Sequence, residues 1–260
     1  MKFSSIWMLS TLALLLVVEG CAHRPAPVEE ARPAYFRDWL PALQERSEHW
    51  KSYQAKVHLS AQTSEKKFNL DALVVAKTPD QFRLEAFRLG QTIGALTLNH
   101  GHSSLFVPSE KVIYTAERSE SLTDHFLGIA LPLDIFGYSL SACVPPDQLD
   151  DLQIVAHSPE WFEASKHAFN GWFYTWQFTS MPQSIQAVSV KRGALEYVIR
   201  YEPSVGLAIK EVPQKIIYTS AMWQIEVTIR ELAPVPILPD TVFETVPSQE
   251  IRRVDLGSLK

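Results

Sequence analysis

Two long stretches of alternating apolar and polar residues, one on each side of an apolar segment, most constrain the fold of this 260-residue chain. In the first stretch, Tyr53, Ala55 and Val57 alternate with Gln54 and Lys56. A period of two residues is typical of antiparallel strands with one face in water and one face against a core. We therefore expect strands at 53–62, 68–76, 82–86, 93–99, 103–107 and 112–116, and again at 152–156, 172–178, 195–201 and 223–229. The pattern of residues 161–170 is unclear.

The segment between the two stretches, Phe126–Ala142, is apolar apart from one charged residue, Asp134. Ser121 can cap a short helix that Gly128 ends, and Pro132 can open a second helix. We expect these helices at 122–127 and 132–142, with the second buried on most sides. The segment should plug or lid the concave face of a curved sheet. The glycine and the proline between the helices suit a movable joint and a fixed corner equally.

The N-terminus carries a targeting signal. Lys2 precedes a largely apolar run, Ile6–Val18, which is too short to cross a bilayer comfortably. The run ends in Val-Glu-Gly-Cys, which resembles the lipobox of bacterial lipoproteins. The resemblance implies that residues 1–20 are a signal peptide and that Cys21 becomes an N-terminus whose acyl chains, such as palmitate, enter the membrane lipid. A plain signal peptide and an uncleaved anchor are the alternatives.

The residues that follow the cysteine predict where the protein is held. In the enteric sorting pattern, Ala22 after the cysteine favours the outer membrane, so we expect a lipid-anchored domain that faces the periplasm. The stretch up to residue 37 contains three prolines and few large apolar groups. Such a composition cannot build a core, so residues 21–37 should be a tether.

A single domain should follow the tether. Trp39 and Trp50 recur at helical spacing, with Arg46 among the polar residues between them, which predicts an amphipathic helix. No second linker interrupts the chain after it, so we expect residues 38–260 to form one domain. Cys143 lies between apolar neighbours and is expected to be a buried thiol without a disulfide partner.

Composition and motif content argue against several functional classes. The net charge of −5 argues against a nucleic-acid partner, which would favour a basic face. His100 and His102 could share a strand face, but no adjacent Cys, Asp or Glu completes a metal site. Residues Ser64–Lys67 match the Ser-x-x-Lys pattern of penicillin-binding proteins, but the match covers only these four residues and lies in a Lys-rich turn. We therefore expect a protein that is not an enzyme and that needs no cofactor and no metal.

Two short motifs, Leu127–Leu133 and Arg88–Thr92, are similar to those of LolB-like outer-membrane lipoproteins of the lipoprotein-localisation (LolA/LolB-like) superfamily. A third, Pro79–Phe82, is similar to a motif of the periplasmic carrier in the same superfamily. The first contains a Gly-x-x-x-Pro-Leu turn into a helix and is followed by Phe136 and Leu140. The second places Leu-Gly in a loop after a predicted strand. The third is a Pro-x-x-Phe turn. The resemblance spans roughly residues 40–230.

The resemblance implies an α+β, mainly β fold: a curved antiparallel sheet that forms a half-open barrel, covered by short mid-chain helices over a hydrophobic cavity. It implies that Leu89, at a loop tip, takes part in delivery to the membrane, and that Phe82 lines the cavity. The complete set of ligand or lid candidates is Phe82, Phe126, Leu127, Leu131, Leu133, Phe136, Leu140, Trp172, Tyr174 and Trp176. The aromatic residues of 172–178 could belong either to the hydrophobic core or to the wall of a ligand site, and both interpretations remain open.

Two functions are compatible with these observations. In the first, the protein binds acyl chains of lipids or lipoproteins, received from a periplasmic carrier or from the membrane, and helps to insert lipoproteins into the outer membrane. In the second, it is a non-enzymatic assembly module with a filled core that contacts partner proteins. A continuous apolar cavity beneath residues 121–142 would favour the first function.

Overall fold

The computed structural model describes residues 34–78, 80–149, 151–168, 171–180, 183–208, 211–244 and 251–258. The described residues from Ala34 onwards form one compact unit. The signal peptide, Cys21 and most of the tether lie outside the described residues, so these assignments stay predictions. Within the part that is described, no helix combines the length and the apolar character that a membrane span requires.

The described chain consists mainly of strands with a few helices. The helices are α1 (Ala34–His49), α2 (Ser119–Leu127), α3 (Leu133–Leu140) and the short α4 (Pro146–Leu149). The strands before α2 are β1 (Ser52–Thr63), β2 (Lys67–Lys77), β3 (Gln81–Arg88), β4 (Gln91–Asn99), β5 (His102–Val107) and β6 (Val112–Ala116). Those after α4 are β7 (Gln153–His157), β8 (Trp161–His167), β9 (Phe173–Thr179), β10 (Ser184–Arg192), β11 (Leu195–Gly206), β12 (Lys215–Ser220), β13 (Trp223–Pro234) and β14 (Arg252–Asp255).

All described strands join one curved, unclosed sheet in the order β14-β6-β5-β4-β3-β2-β1-β13-β12-β11-β10-β9-β8-β7. Neighbours are antiparallel except β14, which runs parallel to β6 at one edge. The two halves meet where β1 pairs with β13, from Tyr53 opposite Pro234 to Thr63 opposite Trp223. The predicted fold class, a mainly β curved sheet covered by mid-chain helices, is confirmed.

The alternation in the sequence matches the burial of the strands. In β1, Ala55, Val57 and Leu59 are buried, whereas Gln54 and Lys56 face solvent. The inward residues of both halves form one hydrophobic core together with α1 and α3. Burial of this kind contributes about 25 cal/mol per Å² of apolar surface removed from water. The sheet is therefore held against the helices by the side chains that the period-two pattern selects.

Besides β8, which lies where the sequence pattern is unclear, three strands that the alternation did not predict are β10, β12 and β14. A register shift between Ile185 and Ala187 interrupts β10, so its inward residues do not follow a strict period of two. β12 is short, and Ile216 and Ile217 are adjacent in it. β14 is a four-residue edge strand whose side chains are largely exposed. In each case the local alternation is too weak to predict a strand, and the strand forms because it pairs with its neighbours in the sheet.

Two local predictions about helices were wrong. Helix α2 begins at Ser119 rather than after Ser121, and its N-cap residue, Arg118, makes no side-chain capping bond. Arg46, predicted on the polar side of α1, is 1% exposed and lies against the core. Its guanidinium group donates hydrogen bonds to backbone carbonyls instead of water. A helical period in the sequence cannot predict these bonds.

Candidate functional site

The two mid-chain helices meet at a tightly bonded corner. Gly128 adopts φ of 69° and its N–H donates to the carbonyl of Asp124 at 2.8 Å, which ends α2. The hydroxyl of Thr123 donates to the carbonyl of Leu131, and the N–H of Leu131 donates back to it, both at 3.0 Å. The N–H of Leu133 donates to the hydroxyl of Ser119 at 3.0 Å. These bonds tie α2 to the start of α3, so the two helices form one unit.

Beneath this unit lies an apolar cavity of about 240 Å³. Its roof consists of residues from α2, the corner and α3: Leu122, Thr123, Phe126, Leu127, Ile129, Leu131, Leu133 and Phe136. Its floor consists of inward residues of the sheet: Leu59, Ala61, Phe68, Leu70, Leu84, Ala86, Ile93, Gly94, Leu96, Leu105, Val107 and Ile225. Nearly every lining side chain is apolar, so water inside gains few hydrogen bonds.

The cavity exists in part because three residues of its floor have small side chains or none. Ala61 on β1, Ala86 on β3 and Gly94 on β4 lie in its floor. A register shift opposite Ala86 places Ile93 as an extra residue in β4, since Phe87 pairs with Thr92 and Ala86 pairs with Gly94. A bulge of this kind bends the strand and turns its side chains. Ile93 is consequently both a cavity residue and 44% exposed.

The cavity borders solvent near one end of the sheet. Phe126 and Leu127, at the end of α2, are only half-buried although they line it. The ring of Phe126 packs edge-on against Tyr114, with 4.6 Å between ring centroids. Ile93 completes this border from β4. A ligand could therefore enter between the end of α2 and strand β4 without crossing the core.

The sequence-predicted ligand residues fall into three groups. Phe126, Leu127, Leu131, Leu133 and Phe136 come together around the apolar cavity. Tyr174 and Trp176 line a second cavity, described below. The three remaining candidates, Phe82, Leu140 and Trp172, are buried and are not among the residues that line either cavity.

The position of Phe82 differs from what the resemblance implies. Its ring meets Phe136 edge-on at 5.8 Å between centroids and lies beneath Gly137, where a Cβ atom would come within 3.4 Å of Cδ2 of Phe82. Phe82 therefore packs against α3 and supports the roof of the cavity from behind. The lining residues on β4 and β5 had no sequence signal beyond ordinary strand alternation.

The loop tip with Leu89 has an unusual geometry. Leu89 and Gly90 form the two-residue turn between β3 and β4, with φ of 50° and 77°. Positive φ at both central residues defines a hairpin turn in which Asn or Gly is the usual first residue. Leu89 is nevertheless 98% exposed. A leucine here gains no packing and carries backbone strain of about 1–2 kcal/mol.

The second cavity, of about 210 Å³, lies on the other side of α3. Asp134, Ile135 and Tyr138 face it, whereas Leu133 and Phe136 face the apolar cavity. Successive residues of a helix point about 100° apart, so one short helix can separate two spaces. Tyr174, Trp176 and Tyr201 form much of the opposite wall.

Burial raises the pKa of Asp134 from its ordinary value of 3.8 to about 6. The backbone N–H of Ile135 favours the ionised form, Glu120 opposes it, and Arg192 favours it. Arg192 is itself paired with Glu120 and lies over the ring of Trp172 at 4.2 Å, so its charge is largely matched there. Asp134 is thus a carboxyl group that titrates close to neutral pH.

This carboxyl group predicts a pH-dependent stability. The unfolded chain ionises Asp134 near 3.8 and the folded chain near 6, so the folded state holds more protons between these values. The contribution of Asp134 to the free energy of unfolding should therefore fall as pH rises from about 4 to about 6. We expect Asp134→Asn to match the wild type below pH 4 and to exceed it by about 2 kcal/mol above pH 6, after allowing for residual contact with water. Urea unfolding of both proteins from pH 4 to 7 measures the difference, and parallel curves would contradict it.

Other titratable groups in the core serve packing. Burial raises the pKa of the Tyr201 hydroxyl and that of the Cys143 thiol, so both stay neutral. Cys143 is buried and reduced, as predicted, and its Sγ donates weakly to the carbonyls of Ser141 and Arg46. Nδ1 of His100 lies 2.6 Å from a carboxylate oxygen of Asp80 at the sheet end. Over the described ranges, no three His, Cys, Asp or Glu side chains cluster as metal ligands would.

Comparison with solved structures identifies the fold. A LolA superfamily protein from Nitrosomonas europaea is similar over 80% of this chain and 97% of its own, with a TM-score of 0.55 and 13% identity. A putative outer membrane lipoprotein-sorting protein domain from Vibrio parahaemolyticus is similar over 78% and 95%, with a TM-score of 0.53 and 12% identity. A DUF1329 family protein from Desulfovibrio piger is similar over 80% of this chain and 95% of its own, with a TM-score of 0.58 and 8% identity.

The sequence itself matches no protein-family model and no curated protein. The similarity is thus carried by the backbone: a curved unclosed sheet with mid-chain helices on its inner side. The chain therefore has the LolA/LolB-like fold.

Proposed function

We propose that this protein binds acyl chains of lipids or lipoproteins in the apolar cavity and passes them to the outer membrane, to whose periplasmic face acylated Cys21 anchors it. The observation that carries the proposal is the cavity itself, enclosed by mid-chain helices and lined almost wholly by apolar side chains. Filling it with methylene groups would gain about 25 cal/mol per Å² of apolar surface. This function requires neither catalysis nor a cofactor.

The size of the cavity suggests how binding would proceed. Its volume of about 240 Å³ is smaller than the roughly 300–1,000 Å³ of pockets that take drug-sized ligands. It would hold part of one acyl chain with the helices in the described position. Because α2 and the start of α3 are tied through Thr123 and Ser119, we infer that they would shift together to admit more of the chain.

The end of the sheet nearest the cavity border suits a membrane surface. The β3–β4, β1–β2 and β12–β13 turns project from this end on adjacent strands. They carry exposed Leu89 and Met222, the latter 72% exposed, together with Lys66, Lys67 and Arg88 against one acid, Glu65. Apolar tips among basic residues favour shallow insertion beside anionic lipids, although the whole chain is negative. An acyl chain leaving past Ile93 would have a short path to the bilayer.

The alternative function, an assembly module with a filled core, is less well supported. Part of the space around α3 is filled, since the ring of Phe136 packs against both Phe82 and Tyr218. In front of α3 the space is open and apolar, which a purely structural role would not need. A cavity of this size costs stability, since each Å³ of void costs roughly 24 cal/mol in cores where it has been measured.

The test begins with the acylated full chain extracted from membranes in mild detergent. Native mass spectrometry should find lipid or lipoprotein bound to it in a defined ratio, and a fluorescent fatty acid should compete with that ligand. Depletion of the protein in its host, followed by fractionation of the membranes, should leave lipoproteins mislocalised. A protein that never carries lipid, does not bind the fatty acid and changes no lipoprotein's location would contradict the proposal.

Leu89→Asn is expected to weaken membrane binding about 10- to 100-fold, because one leucine buried in the bilayer contributes about 1.5–3 kcal/mol. The stability of the fold should stay equal or rise slightly, since Asn tolerates positive φ better than Leu. Sedimentation with anionic vesicles, using chains that also carry Cys21→Ser so that acylation does not mask the effect, measures the binding.

The matched control for this prediction is Leu89→Met, which keeps an apolar tip and should retain vesicle binding. Fatty-acid binding should be the same in all three proteins, because Leu89 lies outside the cavity lining. Unchanged vesicle binding by the asparagine variant would show that this turn does not insert.

A further inference from the structure

The second cavity combines aromatic walls with polar groups that have unused bonding capacity. Tyr174 and Trp176 stack at 5.3 Å between ring centroids on β9, and Asp134 and Gln148 reach the same space from α3 and α4. The apolar cavity lies across α3, so this space is not needed for holding an acyl chain. Its chemistry is therefore a separate question.

Asp134 and Gln148 supply hydrogen-bond acceptors to this cavity, beside the hydroxyl groups of Tyr138, Tyr174 and Tyr201. Asp134 forms no salt bridge within the described part of the chain, and the cation closest in effect, Arg192, is paired with Glu120. Gln148 is 5% exposed, and its Oε1 has no hydrogen-bond partner among the described residues. A buried acceptor without a donor costs about 1–3 kcal/mol. Among the described residues, the lining of the cavity thus includes a carboxylate and an unpaired carbonyl oxygen but no lysine, arginine or histidine.

We propose that the second cavity binds a small organic ammonium cation. The ammonium group would donate hydrogen bonds to the Asp134 carboxylate and to Oε1 of Gln148, which supplies the missing donors and charge together. The carbon body of the ligand would lie against Tyr174 and Trp176, whose ring faces attract a cation. Neither Ser139 nor Tyr218 is available as a competing donor, since the hydroxyl of Ser139 donates to the carbonyl of Phe136 and that of Tyr218 donates to Ser139.

The ammonium could belong to a free amine or to the headgroup of an aminophospholipid. In the second case the headgroup would occupy this cavity while an acyl chain of the same molecule occupied the apolar cavity across α3. The chemistry at Asp134 is the same in both cases. The proposal does not depend on acyl binding, because it rests on residues that do not line the apolar cavity.

Calorimetric titration at pH 7.5 with phenethylammonium chloride tests the proposal, with 2-phenylethanol as the neutral molecule of the same shape. The wild-type chain should bind the cation at least tenfold more tightly than the alcohol. Asp134→Asn should reduce this preference to less than threefold, and Gln148→Leu should weaken cation binding about fivefold. Glu196→Gln, which removes an equal charge from an exposed site, should change nothing.

A second arm distinguishes the two sources of the ammonium. Lysophosphatidylethanolamine and lysophosphatidylglycerol differ in the headgroup only, so a preference for the first that Asp134→Asn abolishes assigns the site to a lipid headgroup. A preference for phenethylammonium without a preference between the two lipids assigns it to a free amine. If cation and alcohol bind equally, or if the folded Asp134→Asn and Gln148→Leu variants keep full preference for the cation, the proposal is wrong. Fatty-acid binding in the same proteins reports separately on the apolar cavity.

Discussion

Ala86→Phe is expected to lower the affinity for a fluorescent fatty acid at least 100-fold. The side chain of Ala86 forms part of the floor of the apolar cavity, below the α2–α3 unit. A phenyl group there would displace about four methylene groups of ligand, each of which contributes about 0.8 kcal/mol, so the loss is roughly 3 kcal/mol. A difference of that size corresponds to more than a 100-fold change in Kd.

The same change should leave the stability of the fold within about 1 kcal/mol of the wild type, because the added ring enters a space of about 240 Å³ rather than a packed core. Urea unfolding measures this second quantity. The combination is informative: a ligand cavity predicts lost binding with retained stability, whereas damage to a filled core predicts that both are lost.

Ala233→Leu provides the matched control for the cavity variant, since Ala233 lies on β13 but is exposed to solvent. It adds apolar volume on the same sheet without touching the cavity, so binding and stability should both stay near the wild-type values. If Ala86→Phe binds the fatty acid as tightly as this control, the apolar cavity is not the acyl site and the proposed function fails.

The strand pattern was predictable from the sequence because burial on one face is a local property of each strand. β1, β9 and β13 read correctly for this reason: polar and apolar residues alternate without interruption at their centres. β10 was missed because the bulge near Ile185 changes which residues face inward. The fold class followed from the number of such strands and from the apolar helices between them, not from any single residue.

The site was only partly predictable, since it depends on pairing between distant strands. Phe126, Leu131 and Phe136 could be selected from the central apolar segment, and they do line the apolar cavity. No local signal reveals that Ala61 and Ala86 lie in the floor of one cavity, because that requires the register of β1, β2 and β3. Phe82 shows the opposite case, in which a motif selects a residue that the packing of α3 keeps behind the cavity.

Arg46 was the least predictable of the residues that matter, and its replacement should have the largest effect on stability. Nε donates to the carbonyl of Ala142 at 3.1 Å, and Nη2 donates to the carbonyl of Ser141 at 2.7 Å. The remaining donors reach the loop after β11, where the carbonyl oxygens of Gly206, Ala208 and Glu211 lie at 3.3, 2.9 and 2.8 Å. One guanidinium group thus ties α1 to the end of α3 and to the β11–β12 connection.

Arg46→Met is expected to lower the free energy of unfolding by about 3–5 kcal/mol, because several buried backbone carbonyls lose their donor at once. Burial lowers the pKa of Arg46, so holding the charge there is costly, and its removal recovers part of that cost. The cost of the carbonyls that lose their donor exceeds this recovered energy, because each unsatisfied buried acceptor costs about 1–3 kcal/mol. Arg46→Lys should restore only part of the loss, since an ammonium has three donors and lacks the planar fork.

Urea unfolding of the two Arg46 variants measures this loss, with Arg230→Met as the matched control. Arg230 pairs with an acid, Asp71 at 3.1 Å, but both side chains are exposed, so its replacement should cost less than about 1 kcal/mol. A similarly small loss for Arg46→Met would mean that water satisfies the five carbonyls once the guanidinium is gone. In that case the remaining contacts of α3, which include the hydrogen bond between Ser139 and Tyr218, would hold the roof of the cavity. The expected large loss would instead make Arg46 the strongest polar contact that fixes the position of α3 between the two cavities.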